Sequence, residues 1–139
     1  MTHAEHPAPL LTDRVAVVTG GGGGIGAATA RLFARHGARV VIADIDGGLA
    51  DATTAEIRES GGSAQAVRTD VRDPDEVTRL ARGVLDRYGR ADVLVNNVGH
   101  WLRHPGNFVD TDPRLWDELY HINLHHVFLL TQAFLPAMV

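Results

Sequence analysis

The densest chemical signal in this chain lies in its backbone. Gly20 to Gly24 is an unbroken glycine string, followed by Ile25 and Gly26. It comes directly after the apolar run Val15 to Thr19 and before a segment of helical periodicity. At such a strand-to-helix turn, backbone N–H groups and the positive end of the helix point the same way, which suits a pyrophosphate. Glycine lets phosphates approach the backbone where a Cβ would hold them off. Placement between a strand and a helix is what separates this string from a merely flexible loop. Asp44 ends a second apolar run, Arg39 to Asp44. A carboxylate there can accept hydrogen bonds from both hydroxyls of an adenosine ribose, which favours NAD. A 2′-phosphate would meet Asp44 with a repulsion on the order of a few kcal/mol, at least about a hundredfold in affinity.

Side chains for proton transfer are scarce. The only tyrosines are Tyr88 and Tyr120, their i+4 neighbours are Asp92 and Leu124, and all 13 basic residues are arginines. Without lysine, the chain by itself has neither a P-loop lysine nor an amine for a Schiff base. Both tyrosines fall on helical apolar stripes, so both are expected to pack. His121 and His125 have the i, i+4 spacing of helical metal ligands. No glutamate-histidine pattern completes that site, and no metal is expected.

To hold the glycine string and Asp44 at one edge, the chain needs parallel strands whose carboxyl ends align. Short β-branched runs do alternate with helix-periodic segments, the pattern of parallel strands joined by crossover helices. Strands are expected at Val15 to Thr19, Arg39 to Asp44, about Ala64 to Thr69, and Asp92 to Asn96. A first helix runs from the glycine string to about His36, with Gly37 ending it. A second carries Leu49, Ala52 and Ile57 on one side and ends at Gly61-Gly62. A third is capped by Asp73 with Pro74 at its first position. Its inner face is Val77, Leu80, Ala81, Val84, Leu85 and Tyr88, and Asp75 could pair with Arg79 one turn on. A last helix opens at Thr111-Asp112-Pro113 and runs toward the chain end. It bears one stripe of Trp116, Tyr120, Asn123, Val127, Leu130 and Phe134, and another of Leu115, Leu119, Ile122, Leu129 and Ala133. Together these exceed the arc a sheet can cover, so a partner subunit or further chain should cover the rest. The expected fold is α/β, a Rossmann-type three-layer sandwich with a parallel sheet in order 3-2-1-4. Residues 13–139 form one unit. Residues 1–12, with His3, His6, Pro7 and Pro9, read as a loose tail.

Composition bounds the function. With 139 residues, 45% hydrophobic and 22% charged, the chain can bury a core and is not disordered. A net charge of −4 without a basic run argues against nucleic acid. No apolar stretch approaches the roughly 18–20 residues needed to span a bilayer, so no membrane partner is expected. The chain has no cysteine, which fits a reducing cytoplasm.

Thr19-Gly20, three residues, Gly24, one residue and Gly26 together resemble the fingerprint of the short-chain dehydrogenases/reductases. The resemblance implies a cofactor loop that begins at Thr19. Gly20, Gly24 and Gly26 would hold its fingerprint positions, and Ile25 would line the pyrophosphate site. The family often has a side chain at the three intervening positions. Glycine at all of them implies a loop more mobile when empty, with an ordering cost of about 1 kcal/mol per added glycine. NADP-specific members usually carry a basic residue just before the second fingerprint glycine or just after the second strand. Gly23 and Ile45 stand there, so Asp44 and Ile45 would receive the adenosine of NAD. Asp70-Val71 resembles the family pair that contacts adenine, Asp70 by its carboxylate and Val71 by its backbone. Asn96-Asn97-Val98-Gly99 resembles the family's Asn-Asn-Ala-Gly motif, with Asn97, Val98 and Gly99 bordering the cofactor and Val98 in place of alanine. The loop after it, with His100, Trp101, Arg103 and His104, either borders a substrate or is a solvated surface loop. Asn123 read alone is a structural polar residue; the resemblance implies that it anchors a water in the proton relay.

The family's catalytic Ser, Tyr and Lys are not found at matching positions here. The resemblance covers about Arg14 to Val139 and corresponds to the first half of the family domain. The chain is therefore expected to be a fragment or split product, its last helix continuing past Val139. The activity implied is hydride transfer between NAD(H) and an alcohol or carbonyl. A homo-oligomer, dimer or tetramer, would form through the last helix. The alternative is an NAD(H)-binding module without catalysis of its own. A Rossmann-like methyltransferase would also use an acidic residue after its second strand, but the glycine spacing and Asn-Asn-Val-Gly argue against it.

Overall fold

The computed structural model describes residues 8–101 and 106–139; Arg103, His104 and the first seven residues lie outside the described set. Four strands form one sheet: β1 Val15–Thr19, β2 Arg39–Asp44, β3 Ser63–Arg68 and β4 Val93–Val95. Their order is β3-β2-β1-β4, and every pairing is parallel. Val17 stands beside Val41 on one side and Leu94 on the other. Helices α1 Gly24–Arg35, α2 Gly47–Glu59 and α3 Pro74–Tyr88 are the crossovers. A further helical stretch follows as α4 Pro113–Tyr120 and α5 His126–Phe134, joined by a π-helical turn, His121–His125.

The alternation of strand side chains makes two cores. Val15, Val17, Val41 and Ala43 face α3 and α5, where Val77, Leu80, Val84, Leu130 and Phe134 meet them. Ala16, Val18, Val40 and Ile42 face α1 and α2, meeting Ala30, Ala34, Ala50 and Ile57. Covered on both faces, β1 is apolar from Val15 to Val18, and its one polar residue, the buried Thr19, has its hydroxyl hydrogen-bonded. Leu11 packs on the second core, and its N–H donates to the His36 carbonyl at 2.9 Å. Among the described residues, no helix is long and apolar enough to cross a membrane.

Local signals ended the helices where the residues direct. Asp73 accepts from the N–H groups of Asp75 and Glu76 ahead of Pro74, and Gly89 closes α3 at φ 69°. Asp112 caps α4 in the same way, accepting from Arg114 N–H. Other expectations need correction. The buried side of α2 is Ala50, Thr53, Thr54 and Ile57, while Leu49 is half exposed and Ala52 exposed. A buried threonine is tolerated there because Thr53 Oγ1 donates to the Gly22 carbonyl at 3.2 Å. Arg79 lies 3.8 Å from Glu76, three residues back, and is not paired with Asp75. The stripe from Trp116 to Phe134 does not form one face. The π turn inserts extra backbone, so Trp116 and Tyr120 are exposed while His126, Leu130 and Phe134 are fully buried. Tyr120 accordingly does not pack in the core; its ring meets those of His121 and His125 at the surface.

The short β4 is fastened at its entry by one carboxylate. Asp92 accepts from Val15 N–H at 2.8 Å and from the guanidinium groups of Arg14 and Arg90. The Arg90 hydrogen bond, above all, holds its pKa down at about 2. A depressed carboxylate stabilises the fold fully above its ordinary value of 3.8, and that contribution is lost as pH falls toward about 2. Asp92→Ala is expected to cost roughly 1.5–3 kcal/mol at neutral pH, as for hydrogen bonds to charged groups. Thermal melts should also show a shallower acid limb for the variant, and parallel acid limbs would contradict the assignment.

Candidate functional site

The loop after β1 is fixed by contacts that only glycine allows. Gly20 takes φ +61°, and a Cβ on Gly26 would lie 2.1 Å from the Gly20 carbonyl oxygen. This contact lets α1 begin directly over the end of β1. The first turn of α1 has no side-chain cap and no acidic residue, leaving its positive end for an anion. Two of the three intervening glycines are seated. Gly21 N–H points to the Ala43 carbonyl at 3.4 Å, and Gly22 N–H donates to Asp44 Oδ2 at 2.9 Å. A Cβ on Gly22 would meet Leu49 Cβ at 2.8 Å and Asp44 Oδ2 at 2.9 Å, whereas one on Gly23 would meet nothing within 4 Å.

Asp44 therefore links the end of β2 to the glycine loop. Its other oxygen accepts from Asp46 N–H at 3.0 Å, so both oxygens are oriented by backbone donors. Each keeps a lone pair for an incoming hydroxyl.

Behind the loop, Thr19 and Asn97 lock β1 to the segment after β4. Thr19 Oγ1 donates to the Val95 carbonyl at 3.2 Å and accepts from Asn97 N–H at 3.1 Å. The Asn97 amide donates to the carbonyls of Thr19 and Gly20.

Along the carboxyl ends of the strands runs a cleft of about 420 Å³. One end is walled by Asp44, Ile45, Asp70 and Val71, and the other by Asn97, Val98, Gly99 and His100, with Gly20 between. Eight residues expected from the sequence thus share one cavity. Ile25 stands outside it and is 79% exposed. Thr19 is buried behind it, and Gly24 and Gly26 shape the loop above it. Asn123 does not line it either. Its Oδ1 accepts from His100 N–H at 2.9 Å, and its Nδ2 donates to the His100 carbonyl at 2.8 Å and the Leu119 carbonyl at 2.9 Å. The side chain clasps the backbone just past Gly99.

Thr69, Arg72 and Ile122 complete the lining and were not foreseen. Arg72 donates to both oxygens of Asp70, at 2.9 and 2.8 Å. That hydrogen bond is the main reason the Asp70 pKa is lowered. Its position two residues after Asp70 was the available signal. Ile122 was expected on an apolar stripe of the last helix; it lies on the π turn and lines the cleft. Among the described residues, no group of three or more His, Cys, Asp or Glu side chains is arranged to hold a metal.

Comparison with known proteins places this geometry. The family described as short chain dehydrogenase matches residues 14–139. A 2,5-dichloro-2,5-cyclohexadiene-1,4-diol dehydrogenase of Sphingobium indicum is 36% identical over 129 residues, 93% of this chain and 51% of that protein. Tropinone reductase-like 2 of Erythroxylum coca is 39% identical, over 93% of this chain and 46% of its own. The chain spans about half the length of the curated relatives it matches. A metagenomic short-chain oxidoreductase crystallised in complex with NADP superposes with a TM-score of 0.86 at 43% identity, covering 92% of this chain and 57% of that one. A hydroxysteroid dehydrogenase from Escherichia coli gives a TM-score of 0.86 at 36% identity, covering 92% of this chain and 53% of that one.

The glycine geometry separates two neighbouring substitutions. Gly22→Ala is expected to lower stability by about 1–3 kcal/mol through overpacking, while Gly23→Ala should leave it nearly unchanged. Thermal melts of the two variants check this, and equal effects would contradict the close approach of Gly22 to Asp44.

Proposed function

The chain belongs to the short-chain dehydrogenase family, and from that premise we propose that it is the cofactor-binding part of an NAD(H)-dependent oxidoreductase acting on an alcohol or carbonyl. The observation that carries the choice of NAD is Asp44, its two oxygens oriented by Gly22 and Asp46 N–H groups at the wall of the cleft. A dinucleotide suits the residues present. The uncapped start of α1 and the glycines where a Cβ would intrude would receive the pyrophosphate. Asp44 and Ile45 would take the adenosine ribose, and Asp70 and Val71 the adenine. Bound nicotinamide would supply the hydride-transfer chemistry.

One solved relative is in complex with NADP, so family membership alone does not decide the dinucleotide. Here a 2′-phosphate would meet the Asp44 carboxylate with Gly23 and Ile45 as neighbours, neither able to pair it. Asn123 serves the reading by fixing the His100 backbone at the far end of the cleft, where the resemblance would place a water of the proton relay. Trp116, Tyr120, Leu124 and Phe128 are 42–57% exposed on the α4–α5 surface. We assign that apolar surface to self-association as a dimer or tetramer.

A second reading is favoured by one observation: the chain has no lysine, and Tyr88 donates to Gln65 Oε1 at 3.2 Å while packing against the first core. On that reading this chain, by itself, binds NAD(H) and has no catalysis of its own.

The test is a pair of titrations. NADH should bind at least about a hundredfold more tightly than NADPH, and Asp44→Ala should weaken NADH and narrow the gap. Equal affinities in the unmutated chain would sink the Asp44 argument. NADH formation with secondary alcohols by this chain alone would exclude the second reading.

A further inference from the structure

At the first turn of α5, His126 is fully buried, and neither ring nitrogen makes a well-aligned hydrogen bond, although the backbone carbonyls of Val98 and Ile122 lie near the ring. An imidazole carries at least one N–H in either protonation state. Left unpartnered in the interior, it makes the fold less stable than an apolar side chain of similar shape would. Packing therefore gives no reason for a histidine here.

Its surroundings do. The backbone carbonyls of Val98 and Ile122 lie beside the ring and favour its charged form, while burial, the largest influence, lowers its pKa. Val98 and Ile122 both line the cleft, one on the turn after β4 and the other on the π turn. His126 thus sits behind the junction of two cleft walls, and Asn123 already clasps the same junction from the side through His100. The titratable neighbour that acts on the ring is His125, on the π turn, and it opposes protonation of His126. From the strand side comes the neutral Val98 carbonyl. Asn96 directly follows β4, and its Oδ1 is buried without a partner.

We propose that His126 is a proton-linked positioning residue for the dinucleotide cleft. When charged, its two N–H groups donate to the carbonyls of Val98 and Ile122 and draw the two walls together; when neutral, it has one N–H and holds at most one of them. An anionic dinucleotide in the cleft favours the charged ring, so its affinity rises as pH falls through the titration of His126. This rests on the reading of the cleft as a dinucleotide site. Without ligand the sign for stability is opposite. The folded-state pKa is lowered, so His126 leaves stability intact above 6.5, and stability is lost as pH falls through the folded value.

The experiment uses the whole chain, wild type, His126→Leu and His126→Gln, with NAD+ titrated calorimetrically at about pH 5.5 and pH 7.5. Wild type should bind at least about threefold more tightly at the lower pH than the His126→Leu variant's own pH ratio accounts for. Gln offers two N–H donors without titrating, and His126→Gln should bind equally well at both pH values. In amide NMR spectra recorded without ligand, Gly99 and Asn123 should shift with pH in wild type and stay still in both variants. His126→Leu should also melt higher than wild type in acid. An unchanged pH ratio in His126→Leu, or Gly99 and Asn123 shifts that persist in it, overturns the proposal. Absence of NAD+ binding by every form defeats the reading of the cleft, and the ligand-free shifts then decide His126 separately.

Discussion

A methyl group placed on Gly26 would lie 2.1 Å from the carbonyl oxygen of Gly20, and much of the molecule follows from that proximity. It lets α1 start over the carboxyl end of β1 with an uncapped first turn. It also brings Asn97 close enough to hydrogen-bond the Thr19 and Gly20 carbonyls, which sets the turn after β4 against the same loop. Asp44 approaches from the other flank, through Gly22. Three strand ends thereby converge on a few glycines, and the cleft is the space left between them. Parallel register makes the convergence possible, because only in a parallel sheet do β1, β2 and β4 present carboxyl ends on one edge.

The glycine loop is better fixed than its composition implies. The expectation of a mobile string followed from counting glycines. In the structure, Gly21 and Gly22 are places where the backbone runs so close to Ile42, Leu49 and Asp44 that a side chain has no room. Gly23 is the one among the three with open space around it. A loop already held by β2 and α2 loses less entropy on receiving a ligand than a free one.

What could be read from the residues was whatever depends on near neighbours in sequence. Asp73-Pro74 and Asp112-Pro113 announce helix starts because capping is settled within one turn. The strand order follows from alternating elements and a glycine loop after the first strand. Asp44 was legible because it closes an apolar run, and Asp70 only through the family resemblance of Asp70-Val71. The rest depended on through-space detail. The π turn carries no residue signature, yet it rotates α5 so that His126 replaces the expected apolar position and Ile122 reaches the cleft. His126 stands four residues after Ile122 and four before Leu130, a spacing that was the one available clue. The Arg72 pairing with Asp70 and the Asn123 clasp on His100 needed coordinates, since one depends on the turn after β3 and the other joins residues 23 positions apart.

The central claim is that a dinucleotide lies across this edge of the sheet, and hydrogen exchange tests it without requiring turnover. With saturating NAD+, backbone amides of the glycine loop, the end of β2, Asp70 to Arg72 and Val98 to His100 should exchange more slowly together. The groove on the opposite side, between α1 and α2 near Arg31 and Glu56, should be unaffected. Protection confined to that groove, or no protection at the glycine loop, would contradict the account.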